Sequence, residues 1–291
     1  MGAPLSGTAW IDRYFTSADG LRLHYRDYPA AEPGRLPVLC LPGLTRNCRD
    51  FEGSALRIQG TRRVLSADLR GRGRSQYDPN FLNYHPGTYV GDLARLLADA
   101  GVEKVILFGT SLGGILSMLI AAGTPQVPAG VILNDIGPEV APEGLQRIAS
   151  YVGRHAPVRN WAEAAAQMRS MYGVAMPDAS DADWLAFAQR SYTEVNGVPV
   201  LDVDPGVGEA VRAAPAGAAP DLWPLYAALK PVPTLAIRGE LSDVLSVATF
   251  DRMQREKPDL RRLTVARRGH PPLLDEPECV TAIDGFLAEL P

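Results

Sequence analysis

The sequence predicts an α/β protein with a mostly parallel, doubly wound sheet and a helical cap inserted between two core strands. Short apolar runs that suit buried strands alternate with amphipathic helical segments along most of the 291 residues. The alternation stops near residue 136 and resumes near residue 230, and the residues between are rich in Ala, Pro and Trp. We therefore divide the chain into an N-terminal part of the core (1–135), a helical cap (136–229) and a C-terminal part of the core (230–291).

The first elements are predicted to be an antiparallel hairpin and two parallel strands. The segment AWIDRYFTSADGLRLHYRDY alternates apolar and polar residues and breaks at Asp19-Gly20, which is typical of a hairpin. The runs PVLCLPG and RRVLSAD are short and apolar, which indicates buried parallel strands. The arginines of RGRGRSQ follow the second run between Asp68 and Asp78, so we expect a turn there and not a phosphate site.

The remaining core elements alternate regularly. A helix is predicted in HPGTYVGDLARLLADAG, where apolar residues share one face and Gly101 ends the pattern. It is followed by the strand KVILFG, the helix SLGGILSMLIAAG and the strand AGVILND. After the cap come the strand VPTLAIRGE, a helix near Val247 to Glu256, the strand RRLTVARR and a final helix from Pro277 to Leu290.

The cap is predicted to be mainly helical. Its helices lie in NWAEAAAQMRSMYG and DADWLAFAQRSYTE, it includes an Asn196-Gly197 turn, and it has no strands of the core type. The segment AAPAGAAPDLWP is expected to be the linker from the cap to the next core strand.

Charge and composition exclude several classes of protein. A net charge of −4 and a pI near 5.6 leave no basic excess for nucleic acid. No apolar stretch is long enough to span a membrane, and MGAPLSGTAW lacks the pattern of a secretory signal. Cys40, Cys48 and Cys279 are too few for a disulfide framework and lack metal-type spacing. We expect a cytoplasmic protein without a membrane or nucleic-acid partner, a metal or a cofactor.

The stretch LFGTSLGG carries the candidate nucleophile, Ser111. Gly109 to Gly113 spell G-x-S-x-G between a predicted strand and a predicted helix, which is the context of a nucleophile elbow. On such a strained turn the residues two before and two after the serine come close together, so both must be small. The helix start behind Ser111 favours developing negative charge.

The candidate base is His270. A serine hydroxyl needs a base to become a good nucleophile, and the chain has four histidines. His24 and His85 precede the serine, against the order Ser…Asp/Glu…His expected with this elbow, and His155 lies in the predicted cap. His270 follows the last predicted strand, at the sheet edge where open α/β sheets place their sites.

Two aspartates compete to orient the imidazole. Asp243, in RGELSDVLS, lies between the serine and the histidine, in a loop that leads to the strand before His270, and we expect it to be the acid. Asp135, at the end of VILND, is the alternative, because it too ends a strand. The oxyanion hole is expected to consist of the backbone N–H groups of Leu44 and Leu112, with Gly43 allowing close approach.

With these residues the sequence resembles the α/β-hydrolase superfamily, in its capped, esterase-like branch. The resemblance covers nearly the whole chain and rests on LPGLTRN, SADLRGRGRS, GTSLGG, GELSDVLS and GHPPLLDEP. Pro42 departs from the histidine that many members have at that point. The resemblance implies the α/β-hydrolase fold and hydrolysis through the triad Ser111, Asp243 and His270.

The expected reaction is hydrolysis of a small-molecule carboxylic ester through an acyl-enzyme on Ser111. A carbon–carbon bond hydrolase or lactonase of aromatic degradation remains open, as does a ligand receptor without turnover. Serine at position 111 argues against dehalogenase and epoxide-hydrolase chemistry, which needs a carboxylate nucleophile.

The cap is expected to select the substrate. Most of its aromatic and methionine side chains should pack it onto the core, but Met168, Trp184 and Phe187 are expected to face an apolar substrate group. If the substrate is charged, the candidate carboxylate contacts are Arg154, Arg159, Arg169 and Arg190.

Overall fold

A computed structural model describes residues 9–32, 34–213 and 220–291. Residues 1–8, most of the segment MGAPLSGTAW that lacks the pattern of a secretory signal, lie outside the described residues. So do residues 214–219 of the predicted linker. No helix within the described ranges is both long and apolar enough to cross a membrane.

The core is an eight-stranded sheet in the order β1-β2-β4-β3-β5-β6-β9-β10. Only the pairs formed by β2, with β1 and with β4, are antiparallel, and the other pairs in this sheet are parallel. The strands are β1 (Ile11–Thr16), β2 (Arg22–Tyr28), β3 (Val38–Leu41), β4 (Val64–Ala67), β5 (Val105–Thr110), β6 (Pro128–Asn134), β7 (Tyr192–Val195), β8 (Val198–Leu201), β9 (Thr234–Gly239) and β10 (Arg261–Val265).

The chain reverses its direction of travel across the sheet at β3. It passes from β3 to β4 on one side and then returns to β5 on the other. Ligands of open α/β sheets bind outside the carboxyl ends of the strands at such a switch point. The ends of β3 and β5 therefore mark where a site is expected.

Helices cover both faces of this sheet. The α-helices of the described residues are α1 (Glu52–Ile58), α2 (Pro86–Asp99), α3 (Leu112–Gly123), α4 (Pro142–Tyr151), α5 (Trp161–Tyr172), α6 (Asp181–Ser191), α7 (Gly206–Ala213), α8 (Trp223–Ala227), α9 (Val247–Glu256) and α10 (Pro277–Ala288). One apolar cluster joins one face of the sheet to α2, α3, α8 and α9, and a second joins the opposite face to α1 and α10. The predicted α/β class with a mostly parallel, doubly wound sheet is confirmed.

The cap has its own apolar cluster. Met168 and Tyr172 of α5 pack there against Trp184 and Phe187 of α6. At the C-terminal end of the predicted cap, α8 packs on α3, and its Tyr226 joins the apolar cluster of the core. The last residues of the predicted segment 136–229 thus pack with core helices.

The cap also contains a hairpin that the helical pattern concealed. The helix predicted in DADWLAFAQRSYTE ends at Ser191, and the next residues form β7, which pairs with β8. Asn196 and Gly197 both have positive φ, at 51° and 81°. Such a two-residue turn fits the twist of a hairpin, and Tyr192, Thr193 and Val195 favour a strand over a helix.

The arginine-rich segment after β4 is a turn, as predicted. The Arg70 guanidinium is buried and donates hydrogen bonds to the carboxylates of Asp19, Asp78 and Asp92. Its charge is therefore used inside the protein. It is not available to a phosphate group.

Candidate active site

Ser111 stands on a strained turn between β5 and α3. Its φ of 51° and ψ of −114° lie outside the regions that residues with a side chain readily adopt. The two flanking glycines make the turn possible. A Cβ at Gly109 would lie 2.3 Å from the carbonyl carbon of Gly113, and one at Gly113 would lie 2.0 Å from the carbonyl oxygen of Leu41. The exclusion of a Cβ at both positions thus explains the two glycines of the G-x-S-x-G motif.

His270 lies beside this serine. Its Nε2 is 2.9 Å from Ser111 Oγ, and the imidazole is buried in the loop that follows β10. The side-chain Nδ2 of Asn134, the last residue of β6, donates to the carbonyl oxygen of Pro272 at 3.0 Å. This bond ties the histidine loop to the strand beside the nucleophile.

Asp135, and not Asp243, contacts the imidazole. Its Oδ2 lies 2.8 Å from His270 Nδ1, and its side chain is fully buried. Two more donors hold the carboxylate, the Gly239 N–H at 2.8 Å and the Ser242 hydroxyl at 2.5 Å. The expectation that Asp243 orients His270 is therefore wrong, and the alternative matches the geometry.

The position of Asp243 explains this correction. It lies four residues beyond the end of β9 and points to the cap, where Arg147 of α4 donates two hydrogen bonds to it, at 2.5 and 2.8 Å. Burial alone would raise the pKa of Asp243, but the bonds and charge of Arg147 outweigh burial and lower it. Asp135 directly follows β6, so its short side chain reaches His270 over the sheet edge. That proximity to a strand end is the signal in the sequence that favoured Asp135.

Leu44 and Leu112 lie at the positions expected of an oxyanion hole. Leu112 is the first residue of α3, and Leu44 lines the cavity in front of Ser111. A Cβ at Gly43 would lie 3.4 Å from Arg46 Cγ and 3.8 Å from the Ser111 Cβ, which are ordinary contact distances, so the expected need for glycine at this position is not supported. Among the described residues, neither leucine N–H has a hydrogen-bond acceptor.

Arg72 fixes this loop, a role that the sequence reasoning missed. Its side chain is fully buried, and its Nε donates to the carbonyl oxygen of Leu44 at 2.9 Å. Its Nη1 donates to Tyr89 Oη at 2.9 Å and to the carbonyl oxygen of Arg70 at 2.6 Å. A cation in the arginine-rich turn thus holds the Leu44–Thr45 peptide, next to the Gly43–Leu44 peptide that carries the Leu44 N–H.

A mainly apolar cavity lies between Ser111 and the cap. Its volume is about 70 Å³, several times the roughly 10–15 Å³ that one water molecule needs. It is lined by Gly43, Leu44, Thr45, Arg46, Asp50, Phe51, Thr110, Ser111, Ile148, Tyr151, Val152, Tyr172, Ala175, Met176, Phe187, Arg190, His270, Pro271, Pro272, Leu273 and Leu274.

Only one of the three cap residues expected to face the substrate lines this cavity. Phe187 does, but Met168 and Trp184 are buried in the apolar cluster of the cap, with 1% and 2% of their surfaces exposed. The expectation is corrected for these two, because the faces of α5 and α6 that carry them pack against each other.

The other three histidines have local partners or lie elsewhere. His24 is buried between Asp68 and Asp12, with its ring nitrogens 2.7 and 3.0 Å from their carboxylates. His85 accepts the Gly87 N–H at the start of α2. His155 lies in the cap, where burial lowers its pKa. Of the four histidines, only His270 contacts Ser111.

Comparison with known proteins shows the family of this chain. A model of the alpha/beta hydrolase family matches residues 38–282. The chain is 32% identical, over 91% of its length and 92% of the relative's, to a 3-hydroxybutyrate-oligomer hydrolase from Cupriavidus necator. It is 28% identical to a 2-(acetamidomethylene)succinate hydrolase from Mesorhizobium japonicum, over 82% and 83% of the two chains.

A solved structure also covers nearly the whole chain. A crystal structure of an alpha/beta hydrolase from Novosphingobium aromaticivorans superposes with a TM-score of 0.91 at 45% identity, covering 97% of this chain and 99% of that one. The chain therefore belongs to the alpha/beta hydrolase family.

Proposed function

We propose that this protein is a serine hydrolase that cleaves a carboxylic ester through an acyl-enzyme on Ser111. The observation that carries the proposal is the unbroken series of hydrogen bonds from Asp135 through His270 to Ser111, at 2.8 and 2.9 Å. A nucleophile, a base and an orienting acid within bonding distance are what acyl transfer to serine requires.

The chemical steps follow from this arrangement. Ser111 Oγ attacks the ester carbonyl while His270 Nε2 takes the hydroxyl proton, and Asp135 stabilises the imidazolium that forms. The N–H groups of Leu44 and Leu112 bind the oxyanion of the tetrahedral intermediate. His270 then gives its proton to the departing alcohol. Water, activated by the same base, releases the acid and regenerates Ser111.

Ester cleavage is favoured over the other reactions by two points. The 32% identical relative is named as a hydrolase of 3-hydroxybutyrate oligomers, and an oligomer of a hydroxy acid is joined by ester bonds. The cavity is also small and mainly apolar, which suits a short acyl group. Carbon–carbon bond or lactone hydrolysis, and ligand binding without turnover, are the competing functions.

Labelling and turnover together test the proposal. A fluorophosphonate probe should modify Ser111, and the Ser111→Ala variant should not react. The protein should hydrolyse 4-nitrophenyl esters of short acids faster than a dienoic diketo acid. Faster cleavage of the diketo acid would identify a carbon–carbon bond hydrolase, and labelling without turnover of any ester would favour a binding protein.

We also propose a cytoplasmic location for this activity. The three cysteines are free and buried, and burial raises the pKa of each thiol. Such unpaired thiols fit a reducing compartment.

A further inference from the structure

The cavity in front of Ser111 contains an unbalanced positive charge. Besides His270, its charged lining residues are Arg46, Asp50 and Arg190. Charges that line a small apolar cavity are costly unless they are paired or bind a charged ligand. The partners of each one therefore decide what the cavity can bind.

Arg46 is neutralised within the protein. Its Nε and Nη2 donate to the two carboxylate oxygens of Asp50, at 2.7 and 2.5 Å, and its Nη1 donates to Ser191 Oγ at 2.5 Å. The guanidinium also stacks on the ring of Phe187, 4.2 Å from its centroid. With a bidentate carboxylate already in place, Arg46 has little capacity for another anion.

Arg190 has no such partner. Within the ranges that the structure describes, no carboxylate lies within ion-pair distance of its guanidinium and its side chain donates no hydrogen bond. Asp275 lies in the neighbouring cleft, where burial raises the pKa of its carboxyl although the charge of Arg190 acts to lower it. The two side chains do not form an ion pair. Arg190 is half-buried at the end of α6, and its backbone carbonyl accepts bonds from Asn47 and Arg49, which fix its position.

Arg190 lies where a substrate would pass. It lines the catalytic cavity and also an outer cleft, and Asp50, Leu273 and Leu274 are shared by both. Its guanidinium carbon is 5.7 Å from the centroid of the Phe187 ring, on the cap side of the cavity. The boundary between cavity and cleft thus combines an apolar wall with one unpaired guanidinium.

We propose that Arg190 binds a free carboxylate of the substrate, so that the preferred substrates are esters that also carry a carboxylate group. This inference rests on the proposed ester hydrolysis at Ser111. A guanidinium presents two parallel N–H donors to a carboxylate, and such charge-assisted bonds are about twice as strong as neutral ones. Arg190 would thereby orient the ester and select against neutral analogues.

Matched pairs of substrates test this inference on both sides of the ester bond. For the acyl side, 4-nitrophenyl hydrogen glutarate is compared with 4-nitrophenyl pentanoate. For the alcohol side, 3-(butyryloxy)butyrate is compared with its primary amide. In at least one pair, Arg190→Gln should reduce the preference in kcat/KM for the charged member by roughly 10- to 100-fold, the range expected for a lost hydrogen bond to a charged group.

Three controls make the result specific. Arg190→Lys keeps the charge and should retain part of the preference. Arg169→Gln removes an exposed cap arginine that is paired with Asp181, and should leave the preference unchanged. The neutral member of each pair is measured with every variant, so that any general effect of Arg190→Gln on the cavity cancels in the ratio of the two kcat/KM values.

An equilibrium measurement separates the two proposals. Titration of glutarate into the Ser111→Ala protein should show binding. The Kd for glutarate should be at least tenfold higher in the double variant Ser111→Ala/Arg190→Gln. Unchanged preference in both substrate pairs, or equal glutarate binding by the two proteins, would overturn the inference while leaving ester hydrolysis intact. Failure of all esters with normal glutarate binding would overturn the proposed reaction instead.

Discussion

Asp243 binds Arg147 of the cap, with hydrogen bonds of 2.5 and 2.8 Å, and leaves His270 to Asp135. The loop after β9 still serves the site, because its Ser242 donates to Asp135. The same loop touches α4 closely, since a Cβ at Gly144 would lie 2.4 Å from the carbonyl oxygen of Asp243. The two aspartates therefore have separate tasks, one in the active site and one at the junction of cap and core.

The first prediction separates these aspartates. Asp135→Asn should lower kcat by about 10⁴-fold, because the amide favours the wrong imidazole tautomer and cannot stabilise the imidazolium. Asp243→Asn is the matched control and should change kcat by less than about tenfold, because it does not contact His270. Steady-state kinetics on one good ester, with circular dichroism to check folding, decides the ranking. A larger loss in Asp243→Asn would mean that the acid is misassigned.

The second prediction concerns the pH dependence of stability. Because the folded pKa of Asp243 lies below its unfolded value of about 3.9, its pair with Arg147 stabilises the fold above that pH and loses its effect as the pH falls through the folded pKa. At pH 6 the free energy of unfolding of wild type should exceed that of Asp243→Asn by about 1 kcal/mol. This difference should shrink below about pH 4. Urea unfolding between pH 6 and pH 3 measures it.

The double variant Arg147→Gln/Asp243→Asn provides the control for this pH effect. The difference in free energy of unfolding between Arg147→Gln and this double variant should change with pH much less than the difference between wild type and Asp243→Asn. A difference between wild type and Asp243→Asn that stays constant over the whole range would show that the ion pair is not its source.

The third prediction concerns Leu44, the residue that carries one expected oxyanion donor. Arg72 holds the Leu44 carbonyl oxygen, one peptide beyond the expected donor N–H, and does not line the cavity, so its loss should act on kcat more than on KM. We expect Arg72→Gln to lower kcat by about 10- to 1,000-fold, up to the cost of one lost oxyanion donor. Tyr89→Phe, which removes a single bond to Arg72 Nη1, is the milder variant and should lower kcat several-fold. Equal kcat in both variants and wild type would exclude a positioning role.

The fourth prediction tests the packing of the elbow. Gly113→Ala should destabilise the protein by more than about 3 kcal/mol or prevent folding, because its Cβ would lie 2.0 Å from the Leu41 carbonyl oxygen. Gly91→Ala, in α2, meets no atom within 4 Å and should stabilise by up to about 1 kcal/mol. Urea unfolding of both variants measures the contrast, and similar effects at the two positions would contradict this account.

The fifth prediction separates the two kinds of apolar residue in the cap. Phe187→Ala should shift the preference among acetyl, butyryl and octanoyl esters toward the longer chains, because it widens the cavity. Met168→Ala should cost about 2–5 kcal/mol of stability without changing that preference, because the residue lies in the cluster of the cap. If Met168→Ala alters the chain-length preference more than Phe187→Ala, the two assignments must be exchanged.

The sequence by itself determined the features that depend on local pattern and chain order. Alternating apolar runs predict the parallel sheet because a strand buried on both faces must be apolar throughout. Ser111 could be identified because its strained turn excludes side chains at Gly109 and Gly113. His270 could be selected because it alone among the four histidines follows a core strand after the serine. Each of these inferences depends on residues that are neighbours along the chain.

Only the tertiary structure decided the choices that depend on distance and direction between separate segments. Asp135 and Asp243 both lie in loops at the same edge of the sheet, and which carboxylate meets His270 depends on how Ser242 and Arg147 hold them. Helical spacing likewise groups the apolar cap residues on one face, but it does not say whether that face meets the cavity or another helix. The contacts of the two aspartates join residues 96 to 135 positions apart, and their geometry follows from the packing of the whole fold, which no local pattern records.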